Sequence, residues 1–184
     1  MSLNFLFRLL LTVSATSLLI IIFLVQKGYT LYYLLPSYAG LKSLSPFISY
    51  LAYIFVPVLL TGISISLSRW LGKDGFSAGD VVEIAHANNS FLPSYLGYFF
   101  VALSVPNWDV LIVVYGMLFI FTFSSQALYF NPLFLLYRFE FYNVTTRNGA
   151  SVFLISRKRY KLPADVVIQV AHRINDYTFI ENER

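Results

Sequence analysis

The feature that most constrains the fold is a pair of apolar runs separated by only four residues. Residues 91–105 and 110–129 contain no charged side chain, and the segment PNWD, residues 106–109, interrupts them. An α-helix rises about 1.5 Å per residue, so the second run alone can cross the roughly 30 Å hydrocarbon core of a bilayer. Trp108 is typical of the headgroup level, and Asp109 can cap the returning helix. The pattern predicts a helical hairpin in a membrane, with its turn at one face.

Composition supports the same class of protein. Hydrophobic residues make up 58% of the 184 residues and charged residues 12%, and the mean hydropathy is +0.67. Soluble domains average roughly half apolar and a quarter charged. The length leaves room for about four spans and one small extramembrane unit, but not for a further enzyme domain of ordinary size. With no cysteine and two histidines far apart in sequence, we expect no disulfide, metal site or cofactor.

The predicted fold is a mainly α membrane protein with four transmembrane helices in residues 1–137. The first apolar run is longer than the 7–15 residues of a signal-peptide core, and no cleavage pattern follows it. Pro46 suits the first turn of the second span, and Pro57 should kink that span. The third span is short, with about 22 Å of helix. The predicted spans are residues 5–25, 46–68, 90–105 and 109–130.

The sequence pattern changes from helical to alternating after residue 138. The alternation over 139–144, the turn Arg147-Asn148-Gly149 and the run SVFLISR predict a β-hairpin. We therefore expect a small, mostly β cytoplasmic unit over 138–184, steadied by the membrane, by copies of itself or by a partner. The polar loop 69–90 is predicted to hold a short amphipathic helix over 81–88.

The distribution of cations predicts the topology. Eight of the 13 lysines and arginines lie from Arg138 onward, and the loop 69–90 adds two more. The long loop on the opposite side has only Lys27 and Lys42. The positive-inside rule places both termini in the cytoplasm and the turn 106–109 outside.

Two groups of side chains are candidate functional surfaces. The aromatic group on the outer side either anchors helix ends as an aromatic belt or registers disturbance of the outer leaflet. The basic group in the tail either pairs with anionic headgroups, at about 1 kcal/mol per charge, or docks an acidic partner or nucleic acid. The outward sensing surface comprises Tyr29, Tyr32, Tyr33, Tyr38 and Trp108, and the lipid or partner docking cluster comprises Arg157, Lys158, Arg159 and Lys161.

The residues offer little chemistry for catalysis or coupled transport. Ion-coupled transporters place ionisable groups in mid-membrane, whereas Arg8 and Asp109 lie at the ends of predicted spans. A passive, holin-like pore built from several copies stays open as an alternative, because mid-span hydroxyls can line one. His86 and Ser90 have helical spacing, but no carboxylate is clearly placed behind the histidine. We expect no enzymatic activity.

Two stretches carry a family resemblance. HANNSFLPSYLGYFFVALSVPN, residues 86–107, and FYNVTTRNGASVFLISRKRYKLP, residues 141–163, resemble KwaA, the membrane subunit of the two-component bacterial Kiwa anti-phage system. The resemblance implies an inner-membrane protein that self-associates as a tetramer and senses phage-associated disturbance of the envelope. It also implies a cytoplasmic DNA-binding effector, KwaB, that this subunit recruits or activates without itself binding nucleic acid. No individual residue role carries over.

Overall fold

The structure is a computed structural model that describes residues 3–90, 92–125 and 131–182. Apolar helices form the first part of the molecule, and a β-sheet lies at one end of them. The α-helices are α1 (Leu3–Gln26), α2 (Leu31–Leu34), α3 (Pro46–Leu67), α4 (Leu92–Ser104), α5 (Trp108–Ser124) and α6 (Leu133–Leu136). Short 3-10 helices occupy Ala39–Ser43, Ser68–Trp70 and Pro163–Asp165.

All four predicted apolar segments contain a helix close to the predicted bounds. Two of them, Asn4–Gln26 and Pro46–Trp70, are long and apolar enough to cross a membrane. The apolar stretches Tyr95–Ser104 and Trp108–Ser124 are shorter, and the 17 residues of α5 give about 25 Å of helix. Phe91 and residues 126–130, at the ends of the third and fourth predicted spans, lie outside the described residues.

The helical hairpin α4–α5 is capped differently from the sequence prediction. The Asn107 side chain accepts a hydrogen bond from the Val110 amide at 3.0 Å, so Asn107 is the N-cap of α5. Asp109 was expected to cap this helix, and that expectation is wrong. A capping residue needs an extended backbone, which Asn107 has with φ of −150°, whereas Asp109 already lies in the first helical turn. Its carboxylate there still favours the positive end of the helix dipole.

Helix α1 is the centre of the helical part, because α3, α4 and α5 all pack against it. Far from the sheet, its last two turns build an apolar cluster with the start of α3 and the α4–α5 hairpin. The buried members of this cluster include Leu19, Phe23, Tyr53, Ala102 and Leu111.

Six strands form one sheet in the order β1-β5-β6-β4-β3-β2. Neighbouring strands are antiparallel except β4 and β6, which are parallel. The strands are β1 (Gly72–Phe76), β2 (Val81–His86), β3 (Glu140–Thr146), β4 (Ser151–Ser156), β5 (Ile168–Asn175) and β6 (Thr178–Glu181).

The predicted hairpin is confirmed as β3–β4. Glu140 lies opposite Ser156, and Thr145 lies opposite Ser151. The turn between them contains Gly149 with φ of +78°, a backbone conformation that glycine adopts without steric cost. The alternating pattern and the Asn-Gly pair were therefore sufficient to locate this element.

The amphipathic helix predicted over 81–88 is wrong, because residues 81–86 form strand β2. β2 pairs antiparallel with β3, and Ile84 lies opposite Val144. A single short helix is marginally stable in water, whereas the open edge of β3 offers backbone hydrogen bonds to a segment rich in β-branched residues. With β1 on the opposite edge, the loop 69–90 supplies both edge strands, so the sheet extends beyond the predicted tail.

One face of the sheet packs against the helices. Phe7 and Leu11 of α1 and Ile65 of α3 share a buried cluster with the aromatic residues of β3 and the residues just before it. The other face is covered by the β4–β5 connection, residues 157–167, through Tyr160 and Val166. The sheet residues on the helix side include Phe139, Phe141, Phe153, Ile155, Ile174 and Ile180.

Candidate functional site

The first candidate surface lies at the end of the helices far from the sheet. The rings of Tyr29 and Tyr33 stack with centroids 4.0 Å apart, and Tyr29 also stacks on Trp108 at 5.7 Å. Phe23 of α1 meets the edge of Trp108 at 5.1 Å. The structure thus brings together two elements that are about 75 residues apart in sequence, the tyrosine-rich loop and the α4–α5 turn. We call Tyr29, Tyr33, Trp108 and Phe23 the aromatic stack.

The other two predicted sensing residues lie outside the aromatic stack. Tyr38 is 64% exposed and follows the turn at Pro36, and Tyr32 is half-buried on α2. Among the described residues neither has a ring contact with the stack. Sequence reasoning identified the aromatic segment but could not separate stacked from unstacked tyrosines.

The aromatic stack is tied to the helices by hydrogen bonds. The Tyr53 hydroxyl of α3 donates to the Tyr29 carbonyl at 3.1 Å. Nearby, the Gln26 side chain at the end of α1 donates to the Leu103 carbonyl of α4 at 2.8 Å. Through Phe23, Trp108 and the Tyr53 bond, the aromatic stack therefore contacts α1, α5 and α3.

Polar side chains join α1 and α3 between the aromatic stack and the sheet. The Asn131 amide donates to the hydroxyls of Ser14 and Thr61, each at 2.9 Å, and those two hydroxyls are 2.8 Å apart. All three side chains are fully buried. Asn131 precedes α6, so this cluster fixes the path that leads from the helices into β3.

Two further hydrogen bonds attach the sheet to α3. The Tyr137 hydroxyl, one residue after α6, donates to the Val58 carbonyl at 2.8 Å. Asn182, just after β6, donates to the Ile65 carbonyl at 3.0 Å and satisfies an acceptor at the end of the helix. Both ends of the C-terminal β unit are thus bonded to the same helix.

The basic cluster predicted to be a docking surface is partly used inside the sheet. Lys158 pairs with Glu181 at 2.6 Å, and the Arg159 Nε donates to Glu140 at 2.7 Å. The Arg157 guanidinium lies 4.6 Å from the centre of the Phe139 ring. Lys161 is exposed. The four cations therefore differ in role, and Lys158 in particular is committed to the fold.

Glu181 is a buried carboxylate with three donors. It is 1% exposed, and its Oε2 accepts hydrogen bonds from Ser156 at 2.6 Å and Tyr160 at 2.7 Å, while Oε1 faces Lys158. Burial and the hydrogen bond to Glu181 raise the pKa of Tyr160. The phenol therefore stays a donor over the physiological range, and this cluster holds the β4–β5 connection on the sheet.

Glu140 organises a second, more open cluster. It accepts hydrogen bonds from Tyr142 at 2.8 Å and from Arg159, and His86 Nε2 lies 3.4 Å from it. Burial raises the pKa of Glu140, but the hydrogen bonds from Tyr142 and Arg159 and the nearby charges outweigh it, so the pKa is lowered. Burial and the bond to Glu140 raise the pKa of Tyr142 to about 12.

His86 and Ser90, which were considered above as a catalytic pair at helical spacing, do not lie on a helix. His86 is the last residue of β2, and Ser90 follows in a turn. The carboxylate that sequence reasoning could not find behind the histidine is Glu140, contributed by the neighbouring strand. Its Oε2 lies 3.4 Å from His86 Nε2.

Comparison with known proteins establishes the family. The family model described as "Anti-phage protein KwaA" matches residues 7–180. The chain belongs to the KwaA family. No curated protein and no solved structure matches it significantly. The KwaA match starts within α1 and ends within β6, so it includes the aromatic stack, the Asn131 cluster and Glu140.

Several residues of these clusters in the KwaA-family chain were not identified as site residues from the sequence. Glu140 stands alone between Phe139 and Phe141, and a single acid inside an aromatic strand could have indicated a buried ion pair. Asn131 was interpreted only as a break after the fourth span, and Tyr137 was assigned no role. Their partners lie 70 residues or more away, which no local pattern reveals.

Proposed function

We propose that this KwaA-family chain is a multi-pass protein of the bacterial inner membrane with its sheet and both termini in the cytoplasm. It acts in anti-phage defence as a non-enzymatic sensor and scaffold. The outer aromatic stack registers disturbance of the envelope, and the cytoplasmic sheet recruits or activates an effector resembling KwaB.

Membrane placement is supported by apolar surface on the helices. α3 and α5 expose large aliphatic and aromatic side chains along their length, which water would disfavour and lipid or another subunit would cover. α5 and α4 are short for a full crossing, so local thinning of the bilayer or tilt of the longer helices accompanies their insertion. The exposed residues include Phe55, Val56, Leu59, Ile112, Val113, Ile120 and Phe121.

The observation that carries the sensor proposal is that α1 contacts both ends of the molecule. Phe7 and Leu11 are buried in the cluster shared with the sheet, whereas Phe23 packs against Trp108 in the aromatic stack. A helix is a stiff element, so a shift of one end is transmitted to the other. Displacement of the stack would therefore alter the packing beneath the sheet.

The recruitment surface we propose is the cleft between β2, β3 and the β4–β5 connection. Arg159 has a side chain that is 83% exposed, and Lys161 and His86 line the same cleft beside Tyr142 and Tyr160. Glu140 also lines this cleft and pairs with Arg159, so Lys161 is the cation there that forms no ion pair among the described residues. A cleft with exposed cations and tyrosines suits an acidic segment of a partner protein. Self-association as a tetramer would present several such clefts to the effector.

The alternative of a holin-like pore receives less support from the side-chain contacts. The mid-helix hydroxyls that could line a pore bond one another between helices. Thr16 and Tyr115 are 3.1 Å apart, and Tyr98 and Thr122 are 3.5 Å apart. Dye release from liposomes that contain this protein alone would favour the pore and weaken the scaffold proposal.

The sensor proposal is tested by Trp108→Ala in cells that also carry the effector. We expect loss of phage protection, measured as efficiency of plating, with unchanged membrane insertion and unchanged co-purification of the effector. Tyr38→Ala is the matched control, because Tyr38 is aromatic, on the same side and outside the aromatic stack. Equal protection by both variants would contradict the proposal.

Recruitment is tested separately by charge reversal at Lys161. Lys161→Glu should reduce recovery of the effector with detergent-solubilised protein, and Arg147→Glu, in the β3–β4 turn, should leave it unchanged. Full recovery of the effector with Lys161→Glu would show that the docking surface lies elsewhere on the protein.

A further inference from the structure

A cleft of about 390 Å³ opens beside the end of α3, where the edge strand β1 pairs with β5. Its walls come from the 3-10 helix that follows α3, from β1, from β5 and from the residue just after β6. We call it the β1-edge cleft. Among the described residues it is lined by Arg69, Lys73, Val170, His172 and Asn182.

Strand pairing places the cleft on the face of the sheet that packs against the helices. Lys73 of β1 lies opposite His172 of β5, and His172 lies opposite Ile180 of β6. Ile180 belongs to the buried cluster shared with α1 and α3. Directly opposed residues of antiparallel strands have their side chains on the same face. Lys73 and His172 are therefore on the helix side of the sheet.

The cleft has two cations and no carboxylate among its lining residues. Arg69 and Lys73 are exposed, and within the described part of the chain neither forms an ion pair or a side-chain hydrogen bond. The acid next to Lys73 is Asp74, whose carboxylate accepts a hydrogen bond from the Gly75 amide at 2.9 Å. Asp74 lies opposite Ala171, which is buried on the other face of the sheet. The two positive charges therefore favour an anion in the cleft.

Asn182 adds a buried polar group that its neighbours satisfy only in part. The residue is 9% exposed, and its Nδ2 donates to the Ile65 carbonyl at 3.0 Å. Because a carbonyl can only accept, this bond fixes the orientation of the amide. Its Oδ1 is buried and has no hydrogen-bond partner among the described residues. Buried acceptors are nearly always paired, so this oxygen calls for a donor from a bound molecule.

The position of the cleft at the end of α3 selects the kind of anion. Arg69 and Trp70 end the segment Pro46–Trp70, which is long and apolar enough to cross a membrane. The Trp70 side chain is 71% exposed, and tryptophan is enriched at the level of the lipid headgroups. Cations next to the end of a membrane helix attract anionic headgroups. A phospholipid phosphate would therefore lie at the same depth as the two cations.

We propose that the β1-edge cleft binds an anionic phospholipid whose headgroup carries a hydroxyl, as that of phosphatidylglycerol does. Arg69 and Lys73 pair with the phosphate, and the headgroup hydroxyl donates to the Asn182 Oδ1. The proposal rests on the membrane placement proposed above. A lipid bound here joins the end of α3 to β1 at the bilayer surface, so the attachment of the sheet depends on lipid composition.

The test compares lipid retention by the full-length protein in detergent, measured by native mass spectrometry. Three lipids are added separately: phosphatidylglycerol, phosphatidylethanol, which has the same charge without the headgroup hydroxyls, and phosphatidylcholine, which has no net charge. We expect retention to fall in that order. Arg69→Gln should weaken the preference for phosphatidylglycerol over phosphatidylcholine about five-fold, and Arg69→Gln with Lys73→Gln should weaken it further.

Arg173→Gln is the matched control. Arg173 is exposed and follows His172 on β5, and successive side chains of a strand point to opposite faces. The substitution therefore removes the same charge from a strand of the cleft without altering the cleft, and retention should stay unchanged. Thermal unfolding in detergent checks that the Arg69 and Lys73 variants remain folded, as expected for exposed side chains without hydrogen bonds in the described structure.

Equal retention of phosphatidylglycerol and phosphatidylcholine by the wild type would overturn the proposal, and so would the same loss with Arg173→Gln. Equal retention of phosphatidylglycerol and phosphatidylethanol would refute the contact with Asn182. Displacement of phosphatidylglycerol by inorganic phosphate at equal concentration would assign the cleft to a soluble anion instead.

Membrane insertion is measured in parallel by carbonate extraction. A protein that resists extraction but shows no lipid preference would refute this binding site and leave the proposed function intact. A protein released by carbonate would refute the membrane placement itself.

Discussion

The Tyr137 hydroxyl donates a hydrogen bond to the Val58 carbonyl at 2.8 Å, and it does so across the surface of Gly62. A Cβ atom at Gly62 would lie 2.6 Å from this hydroxyl. The linker between the helices and the sheet therefore docks on α3 only because residue 62 has no side chain. This contact is one of the places where the two parts of the molecule are coupled.

Gly62→Ala should destabilise the protein by about 1–3 kcal/mol, because the added methyl group forces Tyr137 out of its position. The measurement is thermal or denaturant unfolding in detergent. Gly97→Ala is the control, since a Cβ atom there meets no atom within 4 Å and alanine favours the helix. A destabilisation by Gly97→Ala as large as that by Gly62→Ala would show that the Tyr137 contact is not the cause.

Asn131→Leu should lower stability by about 1 kcal/mol, because the hydroxyls of Ser14 and Thr61 lose their common donor. Unfolding in a denaturing detergent such as dodecyl sulfate measures this change. Ser66→Ala is the comparison, since that hydroxyl is exposed and bonds only the Gly62 carbonyl of its own helix. We expect little loss of stability from Ser66→Ala. A loss as large as that with Asn131→Leu would show that the hydrogen bonds of Asn131 are not the cause.

Glu181→Ala should cost about 2–4 kcal/mol, because it leaves the buried Ser156 and Tyr160 hydroxyls without their acceptor. Lys158→Ala should cost less, since the Lys158 side chain is 43% exposed and the two hydroxyl bonds to Glu181 persist. Denaturant unfolding and protease cleavage within 157–167 would measure the two. The reverse order of stability would contradict a central role for Glu181.

Glu140 should make stability depend on pH in the acid range. Its pKa in the folded protein is lowered from the ordinary value of 4.5, so the ionised carboxylate contributes stability above that value. The contribution is lost as the pH falls through the lowered pKa. Denaturant unfolding between pH 7 and about pH 3 should therefore show a shallower slope for Glu140→Gln than for the wild type.

Glu140→Gln should also cost about 1–2 kcal/mol at neutral pH, because a charge-assisted bond to Arg159 becomes a neutral one. Glu83→Gln provides the reference, since Glu83 is exposed and its one hydrogen bond, from Thr145, is 3.5 Å long. If Glu83→Gln flattened the pH dependence of stability as much as Glu140→Gln, that dependence would come from the net charge of the protein and not from the Glu140 cluster.

The helices and the hairpin were predictable because their signals are local. Long apolar runs gave α1, α3, α4 and α5 within a few residues, and alternation with an Asn-Gly pair located β3–β4. The strand β2 was not predictable in the same way. Its residues fit a short helix as well as a strand, and only the free edge of β3 decides between them.

The candidate functional surfaces were likewise predictable only where their signal is local. Tyr29 and Trp108 were recognisable as interfacial aromatics from their position at the ends of apolar runs. Their stacking on each other, and the exclusion of Tyr38 from the stack, depend on how α1 and the α4–α5 hairpin pack. The basic run 157–161 was equally visible, but its pairing with Glu140 and Glu181 was not.

The sequence by itself predicted the apolar helices, because a long uncharged run is a local property of composition and length. It also determined the family, since the match extends from residue 7 to residue 180. The tertiary structure decided which charges are paired within the fold. Carboxylates from β3 and β6 pair with Arg159 and Lys158, whereas Lys161, in the same basic run, is exposed. Electrostatic pairing acts through space over a few ångströms, so strand order, and not spacing along the chain, selects the partners.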